Sequence, residues 1–528
     1  MSCAGSPSYA QQQSVSSSLF KASAARWVLV ATILGSSIEF IDGTVVNIAL
    51  PSIQNTYHAS AAQTEWVVVS YALFLSAVLL LAGALGDRYG QRRMFVLGIA
   101  AFALASSWCA FAPSIVQLLI ARSLQGVGGA CLVANSLALL SNATPAGSRG
   151  KAIGTWSAVV SLMAASGPIV GGWLVQHRSW RWVFLINIPT AALALGITVF
   201  KTKEVGAHQK TGSLDLPGAG LGTLSLAALT LGLIEWSASP RLGGISCLLG
   251  FLAAIAFLRR EATSRDALLP LTLFRNRVFT GTNLVTLLLY GALAPMFFYL
   301  PIKLIQVDGF SPQRAGAAML PVILTLALLS RYAGLVTRRV GARVMLTLGP
   351  ATVAAGFFLL ATSDLSTNYW ARLAPGLFLI GLGLATTVSP LTTAVMSSVE
   401  NDRAGIASGV NNTVAQVAAL LALAVSAPLF QHEFNTMLQR QFVVRNVTAQ
   451  DATLIWQQRA RLGAIATSNA SGKAAVGHAY AGSFAVVISL AGMLTVLAGI
   501  AGAVSLRSGT LAPTGQQSEE VGDFRIKR

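Results

Sequence analysis

The sequence predicts an all-α membrane protein in which fourteen transmembrane helices form two six-helix bundles with two further helices inserted between them. Three observations support this fold class. The composition is apolar and carries few charges, fourteen stretches are long enough to span a bilayer, and a repeat relates the two halves of the chain.

The composition places the bulk of the chain in lipid. Of 528 residues, 54% are hydrophobic and 10% are charged, whereas soluble domains carry about 25% charged residues. The mean hydropathy is +0.65. These values exclude a soluble enzyme and a disordered chain.

The net charge of +18 does not indicate nucleic-acid binding. Lysine and arginine lie in short connections between apolar stretches rather than in a basic domain, so we expect no nucleic-acid partner. The four cysteines and five histidines are scattered without ligand spacing. We therefore expect no metal site, and no motif indicates a cofactor.

A transmembrane helix needs about 20 mostly apolar residues, and fourteen stretches qualify. They are 27–50, 65–86, 94–112, 114–140, 152–176, 180–200, 215–236, 242–260, 279–302, 315–337, 342–362, 370–396, 407–430 and 481–506. With the N-terminus inside, 23 lysine and arginine residues fall on the inner side and 11 on the outer side. Because positive charge collects on the cytoplasmic side, we expect both termini in the cytoplasm and the chain in the inner (plasma) membrane.

An internal repeat divides the chain. The segment 83–90 (GALGDRYG) between the second and third spans is echoed at an offset of 251 by 334–341 (GLVTRRVG) between the tenth and eleventh. The glycines of 126–128 are echoed by those of 381–383. Spans one to six are thus repeated as nine to fourteen, and duplicated six-helix halves are typical of transporters.

The repeat predicts the domain organisation. We expect a cytoplasmic tail, a first bundle, a linker with the two extra helices, a second bundle that includes the outer loop 431–480, and a second cytoplasmic tail. These parts are 1–25, 26–200, 201–278, 279–506 and 507–528.

Five motifs carry a resemblance to a known family. The segment 83–93 (GALGDRYGQRR) resembles the loop between helices two and three of the major facilitator superfamily, and 42–51 (DGTVVNIALP) resembles the first helix of its fourteen-helix drug:proton antiporters, the QacA/EmrB-like group. Similar to that family are also 122–129 (RSLQGVGG) in the fourth helix, 167–172 (GPIVGG) in the fifth and 179–189 (SWRWVFLINIP). The resemblance implies a proton-coupled exporter of amphipathic, mainly cationic drugs that works by alternating access.

Two carboxyl groups and one guanidinium are the candidates for proton coupling. Glu39 and Asp42 lie inside the first span, three residues apart on one helix face. An ionised carboxylate at this depth is tolerated when it faces a wet cavity, where the pair can bind a proton and release it when a cation arrives. Arg122 lies within the fourth span and also needs partners there. The alternatives are a structural polar contact for Asp42 and snorkelling of Arg122 to the nearer surface.

The resemblance implies two further functional segments. A cytoplasmic gate that stabilises one access state would consist of Gly83, Asp87, Arg88, Gly90 and Arg93. An antiporter motif that bends the fifth helix and limits leakage would consist of Gly167, Pro168, Gly171 and Gly172. The alternatives are a charge cluster that fixes topology and a plain packing motif of small residues. In the second-half loop Arg338 stands where an acid is common, which argues against symmetric gating.

Polar residues on other spans are candidates of a different kind. Five amides could line a substrate cavity or bond across helices: Gln125, Asn135, Asn411, Asn412 and Gln416. Three acids lie at span edges, where we expect water to reach them and assign no function: Glu65, Asp215 and Glu235.

Four functions remain in competition at the level of sequence. The leading one is export of small molecules in exchange for protons, with the bilayer and the substrate as partners, by a monomer with or without a periplasmic adaptor. The second is a narrow-specificity transporter of a metabolite, antibiotic or siderophore. A membrane enzyme would need a convergent catalytic cluster, which the sequence lacks, and a scaffold or sensor would show no proton–substrate exchange. No GxxxxGK[ST] motif is present, so ATP is not the expected energy source.

Overall fold

The computed structural model describes residues 9–202, 215–236, 239–264, 267–363, 368–399 and 404–506. Within these ranges all regular secondary structure is helical. The first half contains α1 (Tyr9–Tyr57), α2 (Ala61–Tyr89), α3 (Gln91–Phe111), α4 (Ile115–Ala143), α5 (Ala146–His177), the short α6 (Trp182–Leu185) and α7 (Asn187–Lys201). The inserted pair is α8 (Leu216–Glu235) and α9 (Pro240–Thr263).

The second half has the same succession of long helices. It contains α10 (Arg277–Ile302), α11 (Pro312–Ala318), α12 (Leu320–Val340), α13 (Ala342–Ala361), α14 (Ala374–Ser397), α15 (Ala404–Val444), α16 (Ala449–Gln457) and α17 (Ala470–Ser505). Short 3₁₀ turns at Leu271–Arg275 and Arg459–Ala464 and π-helical turns at Lys303–Val307 and Tyr369–Leu373 complete it.

The predicted spans agree closely with these helices. Among the described residues, thirteen helical segments are long and apolar enough to cross a membrane. The remaining predicted span, 152–176, lies within α5, which is not one of the thirteen but has 32 residues. At 1.5 Å per residue such a helix exceeds the roughly 30 Å of the hydrocarbon core. The all-α membrane fold is therefore confirmed.

Helices extend beyond two predicted boundaries. Much of the predicted outer loop 431–480 is helical, because α15 continues to Val444 and α17 begins at Ala470. At the other end of the chain, α1 begins at Tyr9, inside the predicted tail. Neither 433–444 nor 9–24 contains a glycine or proline. Nothing in either segment therefore stops a helix where the hydropathy falls.

One end of the bundle carries the connections 58–60, 112–114, 178–181 and 308–311 and the segment 445–469. Following the predicted orientation, we call it the outer end. One large cluster of buried apolar side chains joins the two halves near this end. It includes Leu50 of α1, Val67 of α2, Tyr299 of α10 and Phe430 of α15. The other three apolar clusters formed by the described residues each stay within one half. The halves are therefore sealed together at the outer end, and this cluster is called the outer seal below.

The repeat is visible in the turns between helices. Gly90 follows α2 with φ of 103°, and Gly341 follows α12 with φ of 85°. These values lie in the region that glycine adopts without a steric penalty. Both turns lead directly into the next helix, so the two halves use the same tight connection.

The repeat is also visible where helices cross. A Cβ atom on Gly126 of α4 would collide with the backbone carbonyl oxygen of Tyr71 in α2. A Cβ atom on Gly381 of α14 would collide with the carbonyl oxygen of Val322 in α12. Small residues at a crossing allow two backbones to touch, and the two halves place them at equivalent positions.

We expect Gly126→Ala to destabilise the protein by about 1–3 kcal/mol, because the added methyl group must displace the α2 backbone. Gly196→Ala is the matched control, since no atom lies within 4 Å of its added Cβ. The control should be neutral or slightly stabilising. Thermal unfolding of both purified variants measures the difference. Equal melting temperatures for the two variants would contradict the close crossing of α2 and α4.

Candidate functional site

Asp42 points into the first half of the protein rather than towards lipid. Its side chain is 0% exposed, and Oδ2 lies 2.5 Å from Nη1 of Arg122 on α4, which is 1% exposed. Removing two charges from water costs several kcal/mol per ion, and good geometry with further hydrogen bonds offsets that cost. The two candidate residues therefore form one buried ion pair.

Three polar side chains complete the surroundings of this carboxylate. Gln125 Nε2 and Asn187 Nδ2 donate to Asp42 Oδ1 at 2.9 and 3.0 Å. Both amide groups also approach Ser106 Oγ, at 3.3 and 3.1 Å. The Ser106 hydroxyl in turn donates to the carbonyl oxygen of Phe184 at 2.8 Å. Asp42 thereby connects α1 with α3, α4 and α7.

Arg122 is held by more than its ionic partner. Its Nε donates to the carbonyl oxygen of Val67 at 2.9 Å, and Nη1 donates to Gln125 Oε1 at 2.7 Å. The guanidinium carbon lies 4.3 Å from the ring centre of Tyr71, within the range of a cation–π contact. Arg122 is therefore bound in the interior, and snorkelling to a surface does not describe it.

Glu39 differs from Asp42 although it lies one helical turn away. Its side chain is 5% exposed, and Oε2 has no hydrogen-bond partner in the described part of the chain. The side chain lies next to Tyr71. Gly43, one turn further along the same side of α1, is exposed, and a Cβ there would meet no atom within 4 Å. Among the described residues, Glu39 is thus a buried carboxyl group without a cation, one helical turn from the exposed Gly43.

The proline of the predicted antiporter motif leaves a carbonyl group free, and α1 supplies a donor for it. Pro168 has no N–H, so the carbonyl oxygen of Ala164 lacks its partner within α5. Thr44 Oγ1 lies 3.0 Å from that oxygen. Close contact between the helices requires Gly167 and Gly171, because Cβ atoms there would collide with Thr44 and Val45. The motif therefore packs against α1 immediately after Asp42.

The same motif also touches the other half of the protein. A Cβ on Gly172 would collide with the carbonyl oxygen of Pro312 in α11. Conversely, a Cβ on Gly316 of α11 would collide with the carbonyl oxygen of Pro168. This crossing of α5 and α11 joins the two halves through backbone contacts.

The predicted cytoplasmic gate lies at the turn between α2 and α3. Asp87 Oδ1 accepts a long hydrogen bond of 3.4 Å from Gln91 Nε2 on the next helix. Arg88 and Arg93 are exposed, and the nearest atom to a Cβ on Gly83 would be Cβ of Ala134 at 3.9 Å. Asp87, Arg88 and Gly90 thus lie at the turn itself, whereas Gly83 lies within α2 and Arg93 in the first turn of α3.

Sequence analysis missed Arg92 in this loop. Its Nε donates to the carbonyl oxygen of Thr198 at 3.2 Å and its Nη2 donates to that of Val199 at 2.9 Å, at the end of α7. Arg343, at the repeat offset of 251, donates to the carbonyl oxygen of Ala503 near the end of α17 at 2.9 Å. A cation at a helix C-terminus satisfies free carbonyl groups and opposes the helix dipole. The offset was the signal that could have identified this pair.

The five amides predicted for a substrate cavity occupy different environments. Gln125 belongs to the Asp42 network, and Asn135 donates to the carbonyl oxygens of Ala82 and Cys131 at 3.2 and 2.8 Å. Asn411 donates to Asn283 Oδ1 and Thr286 Oγ1 on α10 at 3.1 and 2.7 Å. Asn412 and Gln416 are half-buried on α15. The first three therefore bond across helices in this conformation.

The expectation that water reaches the acids at the span edges was wrong for two of the three. Asp215 is buried, where it accepts hydrogen bonds from the backbone N–H of Gly218 at 2.9 Å and from Arg260 Nε at 3.1 Å. Glu65 is 3% exposed. Glu235 is half-buried. Sequence position alone did not reveal that tertiary packing covers the first two.

The described residues contain no group of three or more His, Cys, Asp or Glu side chains that could hold a metal ion. The site described above consists of a buried ion pair, a buried carboxyl group without a cation among the described residues, and the interface between two halves.

Comparison with known proteins identifies the class. The family model described as Major Facilitator Superfamily matches residues 32–423. The chain belongs to this superfamily and is a membrane transporter, not an enzyme.

Relatives place the chain among drug exporters of that superfamily. It is 33% identical over 404 residues to a multidrug resistance protein, Stp, of Mycobacterium tuberculosis, covering 75% of this chain and 74% of that protein. It is 34% identical over 411 residues to the tetracenomycin C resistance and export protein of Streptomyces glaucescens (75% and 74% covered). It is 35% identical over 410 residues to a puromycin resistance protein of Streptomyces alboniger (76% and 80% covered).

Solved structures support the fold. A bacterial homologue of the human lysosomal transporter Spinster, in an inward-facing and occupied conformation, matches with a TM-score of 0.62 at 15% identity, covering 91% of this chain and 97% of that one. An auto-inhibited peptide transporter of the POT family matches with a TM-score of 0.63 at 12% identity, covering 92% and 98%.

We expect Asp42→Asn and Arg122→Gln each to destabilise the protein by about 3–5 kcal/mol, because each leaves an uncompensated buried charge. The double variant Asp42→Asn/Arg122→Gln should lose clearly less than the sum of the two single losses. Chemical or thermal unfolding of the four proteins gives the coupling. Strictly additive losses would show that the two side chains do not act as a pair.

Proposed function

We propose that this transporter is a proton-coupled exporter of amphipathic cationic drugs in the plasma membrane, with both termini in the cytoplasm. The observation that carries the proposal is the pair of buried carboxyl groups on α1. Asp42 is bound in an ion pair with Arg122, whereas Glu39 is buried without a cationic partner among the described residues. The relatives named for multidrug resistance and for antibiotic export favour drugs as the substrate class.

The contrast between the two carboxyl groups suggests separate roles. An unpartnered carboxyl group in a poorly hydrated site is more stable when protonated, and an arriving organic cation reverses that preference. Glu39 is therefore the exchangeable site, at which a proton and a cationic substrate exclude each other. Protonation of Asp42 frees the guanidinium of Arg122 that it binds. The exchange thereby changes the contacts that Asp42 and Arg122 make with α3, α4 and α7.

The conformation supports alternating access between two states. The outer seal joins the halves, and the glycine contacts of α5 with α11 lie within that interface. For substrate to leave, these contacts must separate while the inner parts of the halves approach each other. The gate residues at the α2–α3 turn and the antiporter motif of α5 are then the elements that hold one state or the other.

Proteoliposomes test the coupling. We expect puromycin to accumulate in vesicles with inside-out protein and an acidic lumen, and Glu39→Gln and Asp42→Asn each to reduce this uptake to less than a tenth. Glu235→Gln is the matched control, because it neutralises an acid on α8 outside this site, and it should retain wild-type uptake. Gradient-driven uptake that survives both substitutions on α1 would refute proton coupling through them.

Arg122→Ala separates binding from coupling. We expect this variant to bind puromycin with an affinity within a few-fold of wild type and to lose gradient-driven transport, because the ion pair and not the substrate contact is removed. Binding is measured by fluorescence quenching and transport in the same vesicles. Full proton-driven flux in a folded Arg122→Ala protein would exclude the coupling role.

The breadth of the substrate class is tested by competition. Unrelated organic cations such as ethidium should inhibit puromycin uptake competitively, and neutral riboflavin should inhibit it weakly. Inhibition by a single compound alone would favour the narrow-specificity transporter instead.

A further inference from the structure

Glu65 is a buried acid in the outer seal that the transport mechanism above does not use. It lies near the start of α2, is 3% exposed, and its Oε1 has no hydrogen-bond partner in the described part of the chain. Its neighbours Thr64 and Val67 are also buried. A carboxyl group has therefore been packed into the apolar cluster that joins the two halves.

Aromatic residues of the opposite half lie in the outer seal beside Glu65. Val67, two residues further along α2, belongs to the same buried cluster as Tyr299 of α10 and Phe430 of α15. The Tyr299 ring stacks on Phe430 of α15 with 4.3 Å between ring centres, and Phe430 packs against Tyr480 of α17 at 4.9 Å. The Tyr480 hydroxyl donates to the carbonyl oxygen of Tyr299 at 3.2 Å. This cluster is tied together within the second half, so it must move away from Glu65 as a unit when the outer ends part.

No charged group compensates Glu65 among the residues that the structure describes. Arg122 is engaged by Asp42, and Lys303 pairs with Asp308 at 2.8 Å. Arg459 donates to the carbonyl oxygen of Trp456. Other titratable or charged groups at the outer ends of elements packed against α2 include His58 just after α1, Glu235 on α8, His432, Glu433 and Arg440 on α15, and Arg461 in the 3₁₀ turn. None of them forms an ion pair with Glu65 in the described part of the chain.

We propose that Glu65 is a second proton-binding residue of the transport cycle, which takes up one proton from the outer solution as the outer ends close and returns it as they part. A carboxylate that loses water without gaining a donor or a cation is strongly disfavoured relative to the neutral acid. Separation of α2 from α15 exposes Glu65 to water again, where the ionised form is stable. The proton enters and leaves on the same side, so Glu65 sets the outer gate without carrying charge across the membrane.

The sign of the effect follows from linkage. The closed state binds one more proton at Glu65 than the open state, so acid outside favours closure and alkali favours opening. One proton changes the ratio of open to closed protein by at most about tenfold per pH unit. The inference rests on the proposed alternating access, because the outer ends must part, but not on proton coupling through Glu39 or Asp42.

A distance measurement across the outer end tests this in the full chain. Spin labels are placed at Gln63→Cys on α2 and Gln439→Cys on α15, two exposed sites in opposite halves, after the four native cysteines have been replaced by serine. In nanodiscs without substrate, the long-distance population should grow several-fold per unit as the pH rises. Glu65→Gln should hold the short distance at every pH.

Two further variants serve as controls. Glu65→Asp keeps an ionisable group and should keep a pH-dependent distance, which excludes general misfolding as the cause of the Glu65→Gln result. Glu235→Gln neutralises another acid near the outer end and should behave as wild type. The proposal would be overturned if the label distance in the wild type did not change with pH, or if it changed with pH in Glu65→Gln as it does in the wild type.

The two proposals fail separately. If the label distances respond to pH through Glu65 while puromycin uptake does not depend on the pH gradient, the role of Glu65 is supported and proton-coupled export is refuted. If uptake requires Glu39 and Asp42 while the distances are unchanged in Glu65→Gln, proton-coupled export stands and the role of Glu65 is refuted.

Discussion

The first half of this transporter is organised around one constraint, which is that the charge of Asp42 must be balanced in a place without water. Arg122, Gln125 and Asn187 approach it from α4 and α7, and Ser106 of α3 holds both amides. Because each of these groups also needs its own partners, the network fixes the relative positions of four helices. A change in the charge of the carboxyl group would therefore be felt in all four of them.

The second physical requirement is close backbone contact between α5 and α1, which packs α5 beside the Asp42 network. The glycines of α5 allow this helix to lie against α1 beside Asp42, and Thr44 supplies the hydrogen bond that Pro168 removes from Ala164. At the next turn Gly172 meets the backbone of α11 in the other half. One short segment thus connects the environment of the buried pair to the interface between the two halves.

The sequence predicts the spans because segments buried in the membrane must be apolar. It predicts the repeat because tight turns and helix crossings require glycine at fixed positions. It points to Asp42 and Arg122 because charges within apolar stretches need partners. It cannot identify Ser106 and Asn187 as those partners, since the contacts join helices distant in the chain. Glu65 was misjudged for the same reason, because its position near the end of a span does not show that tertiary packing buries it.

The two halves share equivalent packing positions but not the charged residues of the candidate site. Leu50-Pro51 of α1 matches Leu300-Pro301 of α10 at an offset of 250, which places Ala292 at the position of Asp42. The offset of 255 in the fourth helix places Leu377 at that of Arg122, and both replacements are buried and apolar. The second half has kept the packing of the duplicated unit without its charges. The buried charges of the candidate site therefore belong to the first half, and the second half fills the two matching positions with apolar side chains that need no polar partner.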